Sequence, residues 1–362
     1  MNRTKKRRKQ KAKLLLIICV SMAMAAAICF GMWQYLAHLL ASQQAAERWQ
    51  GEGDLEFRQI TCFLPSDQKI ELKDIRTFRN AAIKKMQDAA LDVQGNPHLM
   101  LDAWSTDAKL YTSGQHGRGQ ASVIAVGGDY FDFHPLQLLS GDYIRQSDLM
   151  KDRIVLGEEV AWLLFGGTDL AGMTMELNGK PYLIAGVVEQ EQDRFSKNAN
   201  SDGLDLYMSY DTLLTIDENA KISCYEVLMP NPVKGFALNA VKDKFPIGRG
   251  EILCNTERYG YGKMMDLVVH FGSRGSQVSG AVLPYWENAA RSTEDWGSLC
   301  CFMGTVLLIF PTVMLVLTAL QSGRQVKTRL EDDILPDLSE KTQEAIRKRQ
   351  RRHWERKHGT NE

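Results

Sequence analysis

Residues 296–323 read WGSLCCFMGTVLLIFPTVMLVLTALQSG, residues 14–40 read LLLIICVSMAMAAAICFGMWQYLAHLL, and neither stretch contains Asp, Glu, Lys or Arg. A helix needs about 20 predominantly apolar residues to cross the hydrocarbon core of a bilayer. Both stretches exceed that length, and buried helices of soluble domains are rarely so long and so uncharged. We therefore predict two transmembrane helices, over residues 14–40 and 298–322.

A cleaved signal peptide is the alternative for the first stretch. Signal peptides carry an apolar region of about 7–15 residues before a small-x-small cleavage site. Here the apolar run is longer, and Trp33, Tyr35 and His38 close it like the aromatic belt of a membrane span. The residues that follow, Ala41-Ser42-Gln43, match the cleavage pattern poorly. The sequence favours a retained span.

The charge distribution predicts the topology. Residues 1–13 carry +8, residues 41–297 carry −11 and residues 323–362 carry +3, so the whole chain is formally neutral. Basic segments beside membrane spans stay in the cytoplasm. We expect both ends of the chain in the cytoplasm, on the inner side of the plasma membrane, and residues 41–297 on the outer side. The basic ends contact the lipid bilayer in this interpretation, and no nucleic acid partner is predicted.

Residues 41–297 are expected to form one α+β domain. Apolar residues at a spacing of three and four, from Ile75 and Phe78 to Val93, predict a helix of about 24 residues capped by Ser66 or Asp67. Asn178-Gly179 between apolar runs predicts a type I′ hairpin.

Strands are expected near 55–63, 99–111, 120–126, 174–177, 182–188, 222–229 and 251–254. Further helices are expected near 41–50, 158–165, 233–245 and 259–271, and from 283 into the second span. Polar residues 190–203 are expected to form a loop, and the loop 113–119 a long hairpin.

Seven cysteines bound the disulfide chemistry. Only Cys62, Cys224 and Cys254 lie outside the predicted spans. Three is an odd number, and none of the spacings matches a metal-binding pair such as C-x-x-C. One disulfide with a spare thiol and three buried thiols both remain open.

Short motifs follow one another in a fixed order between residues 127 and 188. They read GGDYF (127–131), LLSGDY (138–143), IVLGE (154–158), LFG (164–166), DLAG (169–172), ELNG (176–179) and YLIAGVV (182–188). In this order and spacing they resemble the periplasmic core domain of MacB/FtsX-type ABC transporter permeases. In that family the domain lies between the first and second transmembrane helices. The resemblance implies a MacB-like core at residues 41–297, in a chain truncated after its second span.

The resemblance also implies partners. In these permeases the cytoplasmic segment after the second helix meets the ATP-hydrolysing subunit, so Arg324, Lys327 and Arg329 are candidate partner-binding residues. Two membrane helices cannot enclose a path for a solute, which implies a permease subunit or a homodimer beside the ATPase. The chain has no phosphate-binding loop with a Lys-Ser/Thr pair. Residues 323–362 are expected to form a helical basic tail.

No catalytic residue, cofactor or metal ligand is predicted. His98, His116, His134 and His270 form no H-E-x-x-H pattern, and each is interpreted as a surface or satisfied core histidine. The acids of 190–193 and 202–205 lack the order of a calcium-binding loop and are interpreted as solvated. The leading hypothesis is a non-enzymatic membrane subunit that couples the external domain to a cytoplasmic ATPase or partner permease. The alternatives are a stand-alone anchored binding or sensor module, and an extracytoplasmic enzyme.

Overall fold

The computed structural model describes residues 2–51, 55–68, 70–91, 99–201, 205–272, 274, 277–278, 280–329 and 335–358. The chain divides into two units, one of residues 30–302 and one of residues 1–29 with 303–362.

A mixed sheet of ten strands forms the centre of the larger unit. Its strands are β1 Phe57–Phe63, β2 Leu101–Ser113, β3 Arg118–Gly128, β4 Leu138–Gly141, β5 Arg153–Gly157, β6 Thr174–Leu177, β7 Lys180–Val188, β8 Asp205–Ser209, β9 Cys224–Pro230 and β10 Glu251–Cys254. Their order is β10-β1-β9-β2-β3-β8-β5-β7-β4, and β6 pairs with β2 and β7. Only the pairs β3–β8 and β5–β7 are parallel among the described strands. A separate pair, β11 Gln277–Val278 and β12 Ala281–Val282, is antiparallel.

Eleven α-helices are described. They are α1 Asn2–Ala37, α2 Ala45–Gln50, α3 Leu72–Asp88, α4 Tyr130–Phe133, α5 Glu158–Phe165, α6 Arg194–Ala199, α7 Tyr210–Ile216, α8 Phe236–Lys244, α9 Tyr261–Val268, α10 Tyr285–Arg329 and α11 Leu335–His358. Helices α1 and α10 contain the two segments that are long and apolar enough to cross a membrane. Helix α10 runs for 45 residues, which confirms a last helix that continues into the second apolar stretch. Helix α11 confirms the helical tail.

The sheet has a core on each face. On one face, Phe78 of α3 meets Tyr225 of β9 and Phe245 edge-on, with ring centroids 5.7 and 5.4 Å apart. On the other, Tyr130 of α4 and Trp286 of α10 pack together with centroids 6.0 Å apart. Burying both faces explains why β9 is buried along its whole length.

The helical stripe is confirmed, but the helix bounds are corrected. Of the predicted stripe, Ile75, Phe78, Ala82 and Met86 are buried. The cap is Glu71 rather than Ser66 or Asp67, because the N–H of Glu71 donates to the carboxylate of Asp74, 2.9 Å away. The helix ends at Asp88, where Ala90 adopts a positive φ of 60°. The predicted stop, Gly95-Asn96-Pro97, and Val93 lie outside the described residues.

Both hairpins exist, and one is tighter than expected. Asn178 and Gly179 have φ values of 49° and 77°, as a type I′ turn requires. Strands β2 and β3 pair as far as Ser113 and Arg118. The long loop predicted over 113–119 is therefore wrong, because four residues turn the chain and the N–H of Gly114 donates to the carbonyl of Gly117 at 2.9 Å.

Three further expectations need correction. The chain does not stay helical over 41–50, because α1 ends at Ala37 and a 3-10 turn over 41–43 precedes α2. The predicted loop 190–203 contains α6, whose N–H groups at Phe195 and Ser196 donate to Asp193 at 2.9 Å. Strands β4, β5 and β8 and helix α7 were not expected as elements. The strands are short and carry no hairpin signal, and the seven-residue helix has only Ser209 at its N-cap to indicate a start.

A close approach of strands explains part of the resemblance motif. Gly141 of β4 pairs with Gly186 of β7. A Cβ on Gly186 would lie 2.6 Å from the carbonyl oxygen of Asp142 and 2.7 Å from that of Ser140. No side chain fits there, so the glycine within YLIAGVV is required by packing.

The cysteines outside the apolar helices are buried free thiols. Cys62 of β1 lies opposite Tyr225 of β9, the neighbour of Cys224. Because successive residues of a strand point to opposite faces, Cys62 and Cys224 lie on different faces of the sheet. Cys62 belongs to the core beside α3, and Cys224 to the core beside α4. This geometry favours thiols over a bond between these two.

Candidate functional site

A buried arginine, Arg258, organises a polar cluster beside the start of α10. Its side chain is 1% exposed. Its two terminal nitrogens donate to the two carboxylate oxygens of Glu287, at 2.8 and 2.9 Å. Its Nε donates to Glu294 at 2.9 Å, and Nη1 also donates to Oε1 of Gln43 at 2.7 Å. All three nitrogen atoms of the guanidinium therefore donate hydrogen bonds within the cluster.

The cluster extends outward from Arg258 through two further arginines. Nε of Arg291 donates to Glu287 at 2.9 Å, and its Nη2 donates to Glu251 at 2.7 Å. Arg274 donates to Glu294 at 2.6 Å and to Asp295 at 2.5 Å. We call these residues the Arg258 network: Gln43, Glu251, Arg258, Arg274, Glu287, Arg291, Glu294 and Asp295.

The helical repeat of α10 places three of the network residues on one side. Glu287, Arg291 and Glu294 follow at spacings of four and three, which puts their side chains on one helix face. Gln43 comes from the 3-10 turn after α1, and Arg258 follows β10 and a second 3-10 turn, Asn255–Glu257. The network therefore ties together the segment after α1, the edge of the sheet and the first turns of α10.

Electrostatics keep the network charged. Burial alone would lower the pKa of Arg258, but the Glu287 and Glu294 carboxylates raise that pKa well above its usual value. For Glu294 the effects have the opposite sign: burial alone would raise its pKa, but the charges of Arg258 and Arg274 hold that pKa below its usual value. Removing such groups from water is costly, so a buried network adds little net stability while fixing one geometry.

A chain of polar side chains continues from the network across the sheet. Asn255 donates to Gln43 at 2.8 Å and accepts from the Thr61 hydroxyl at 2.9 Å. The same hydroxyl lies 3.3 Å from Glu226 of β9. Glu226 in turn lies 2.5 Å from Nε2 of His134. The chain reaches the segment between α4 and β4, far from Arg258 in sequence.

The other predicted polar residues are placed as follows. His134 is a satisfied core histidine, His116 and His270 are exposed, and His98 lies outside the described residues. The acids near 190–205 are not all solvated, which corrects the sequence interpretation. Asp205 is buried and accepts from Asn200, and burial raises the pKa of Glu191. Across the described residues, no group of three or more His, Cys, Asp or Glu is arranged to hold a metal ion.

The candidate partner-binding residues lie at the far end of α10. Arg324 and Lys327 are exposed and three residues apart, so they share a helix face. Arg329 is the last residue of the helix, and its side chain lies outside the described set. The residues of the Arg258 network were missed from the sequence. A usable signal was the Glu-x-x-x-Arg-x-x-Glu spacing of charges just before an apolar helix.

Comparison with known proteins gives the family. The family model described as the MacB-like periplasmic core domain matches residues 15–239. Proteins named macrolide export ATP-binding/permease protein MacB, from Neisseria gonorrhoeae and Neisseria meningitidis, are 31% identical over 96 residues. That match covers 26% of this chain and 14% of those proteins, so the chain matches only a small part of their length.

Two solved structures are similar over about half of the chain. The periplasmic region of MacB from Actinobacillus actinomycetemcomitans covers 54% of this chain and 88% of its own, with 17% identity and a TM-score of 0.38. The extracellular domain of the noncanonic ABC-type transporter YknZ from Gram-positive bacteria covers 52% and 92%, with 15% identity and a TM-score of 0.37.

The family model spans more than half of the chain and includes all the motifs between residues 127 and 188. It confirms the resemblance seen in the sequence. The fold agrees with it, as an α+β domain flanked in sequence by two apolar helices. The chain belongs to the family of the MacB-like periplasmic core domain.

Proposed function

We propose that the chain is a non-enzymatic membrane subunit of the ABC transporter permease type, which couples its extracytoplasmic domain to a cytoplasmic ATPase or partner permease. The observation that carries the proposal is the Arg258 network. It joins the segment after α1 to the first turns of α10, and α10 continues without a break into the second apolar stretch.

The network suits mechanical coupling because it fixes geometry. Separating one member of a buried ion pair from its partners costs about 3–5 kcal/mol. A tilt or shift of α10 that preserves the network must carry Arg258 with it. Arg258 is three residues beyond Asn255, which is hydrogen-bonded to the sheet residue Thr61. Movement of the helix therefore moves the domain.

The proposed topology follows from charge. We place residues 1–13 and 323–362 in the cytoplasm and residues 41–297 outside, with the spans at 14–40 and 298–322. Arg324, Lys327 and Arg329 would then meet the ATPase. The chain carries no Lys-Ser/Thr phosphate loop, so the partner supplies ATP hydrolysis. A second copy or a permease subunit would complete the membrane path.

The first test is purification of the full-length chain from its native membranes in mild detergent, with partners identified by mass spectrometry. We expect an ABC-type ATPase. The combined variant Arg324→Ala, Lys327→Ala and Arg329→Ala should lose it. The matched control, Arg347→Ala, Lys348→Ala and Arg349→Ala on α11, removes the same charge and should retain it.

Failure to recover an ATPase would contradict the proposal. If no ATPase is recovered across several detergents, the stand-alone anchored binding or sensor module becomes the better interpretation. If the ATPase is still recovered with the first variant and is lost with the α11 variant, the coupling proposal stands, but the contact lies on α11 and not at the end of α10.

A further inference from the structure

Helix α9 and the three residues after it expose an apolar surface. Tyr261, Val269 and Phe271 are 49%, 83% and 44% exposed. Along the helix, Tyr261, Met265 and Val268 recur at spacings of four and three, on one side. The opposite side carries Lys263, Asp266 and His270, which line a groove of about 400 Å³ next to the Arg258 network. The helix is therefore amphipathic.

Two ring contacts place this surface at the level where the apolar helices begin and end. The ring of Tyr261 lies edge-on to Trp33, with centroids 6.4 Å apart. The ring of Phe271 lies edge-on to Trp296, with centroids 6.1 Å apart. Trp33 lies near the outer end of the first uncharged stretch, and Trp296 begins the second. The buried Met264 lies against Gly297, one residue further along α10.

Tryptophan and tyrosine at the ends of membrane spans occupy the headgroup region of the bilayer. A short amphipathic helix beside them, with its apolar side exposed, has the properties of an interfacial helix whose apolar side enters the boundary between headgroups and acyl chains. We propose that α9 and residues 269–271 lie in the outer headgroup layer, so that the lipid bilayer covers this surface.

This lipid contact goes beyond the coupling function. It adds a third attachment of the domain to the membrane, beside the two spans and next to the Arg258 network. The three attachments define a plane, so the domain would be restrained against tilting over the bilayer. A second copy of the chain is the competing occupant of the same surface, and the experiment separates the two.

The test uses the full-length chain in vesicles of phosphatidylethanolamine and phosphatidylglycerol. The photo-crosslinking residue p-benzoyl-phenylalanine replaces Tyr261 in one variant and Val269 in another. The water-facing control is Tyr111 on β2, which is 70% exposed, and the membrane control is Ile28 of α1, which is 69% exposed. After illumination, mass spectrometry identifies what is attached at each position.

We expect lipid adducts at positions 261, 269 and 28, and no lipid adduct at position 111. Lipid adducts at 28 with none at 261 and 269 would overturn the proposal, and so would protein–protein adducts at 261 and 269, which would assign the surface to a second copy. The coupling proposal survives either of these results, because it depends on the ATPase and not on α9. Native circular dichroism of each variant confirms that the label has not disturbed the fold.

Discussion

The two faces of the sheet are built in different ways. The face under α3 and α8 is closed mainly by apolar side chains, with the rings of Tyr225 and Phe245 stacked 4.6 Å apart. It also buries Asp102, which pairs with Arg79 of α3 and accepts from the Tyr225 hydroxyl. The other face carries the line of polar side chains that leads from His134 through Glu226 and Thr61 to the Arg258 network. One domain thus contains a predominantly apolar core and a core crossed by a long chain of hydrogen-bonded polar side chains.

The two kinds of core differ in how they respond to a change in geometry. Apolar burial stabilises in proportion to area and tolerates volume-conserving change. A buried network has one arrangement in which all its charges are paired, and every other arrangement leaves a charge exposed to an apolar surrounding. The first face is suited to holding the fold together, and the second to holding the sheet in one orientation on the first turns of α10.

The largest effect is expected from Arg258→Met, which removes the centre of the Arg258 network. Glu287 and Glu294 would keep buried carboxylates with fewer partners, and we expect the free energy of unfolding to fall by about 3–5 kcal/mol. Urea unfolding of the full-length chain in mild detergent, followed by tryptophan fluorescence, measures it.

Combining Arg258→Met with Glu287→Leu and Glu294→Leu tests the same comparison from the other direction. Replacing a buried network by apolar residues is often neutral, so most of the stability should return, whereas the proposed coupling to an ATPase should be lost. Stability that stays low in the combined variant would show that the network supports the fold itself.

The apolar face is tested by Met86→Ala. Met86 is completely buried on α3, and truncation of a buried methionine costs about 2–5 kcal/mol through lost contacts and a cavity. In contrast to Arg258→Met, this variant should leave any ATPase stimulation by the folded protein unchanged. A coupling defect at temperatures where the variant is folded would contradict the prediction that the apolar face contributes to stability alone.

A smaller loss is expected from His134→Ala, at the far end of the polar chain. The substitution leaves a carboxylate oxygen of Glu226 without its 2.5 Å partner, which costs about 1–3 kcal/mol for a buried group. His116→Ala is the matched control, because His116 is exposed. Equal unfolding midpoints for the two variants would contradict the role of His134 as a structural partner.

The smallest effect should come from acid. The pKa of Glu294 is lower in the folded protein than its usual value, so its contribution is complete above about pH 4.3, the unfolded value. That contribution is lost as the pH falls through the lower folded pKa. We therefore expect the difference in unfolding midpoint between the unchanged chain and Arg258→Met to be constant from about pH 7 to 5 and to shrink below about pH 4. Taking this difference separates Glu294 from groups whose pKa is raised by burial, such as Glu191. The Arg258→Met variant should show a shallower acid decline.

Local patterns determined a large part of this structure. The uncharged stretches, the stripe of α3, the Asn178-Gly179 turn and the helix Glu158–Phe165 depend on residues close together in the chain. The motif order between 127 and 188 identified the family for the same reason, since each motif is a local turn or strand end. Apolar residues recur every three to four positions along a helix face and every two positions along a strand face, so both patterns can be recognised in the sequence alone.

Only the tertiary structure decided which polar residues meet. Gln43, Arg258 and Glu287 are distant in sequence. The charge spacing from Glu287 to Glu294 marks one face of a helix, but it does not show which residues that face meets. Strands β5 and β8 also escaped prediction, because their residues are buried on both sides of the sheet and lack an alternating pattern. The sequence by itself determined the two apolar helices that are long enough to cross a membrane, the α+β class and the family. The assembly of the Arg258 network was decided by long-range packing, because only the folded sheet brings the segments after α1, after β10 and at the start of α10 within hydrogen-bonding distance.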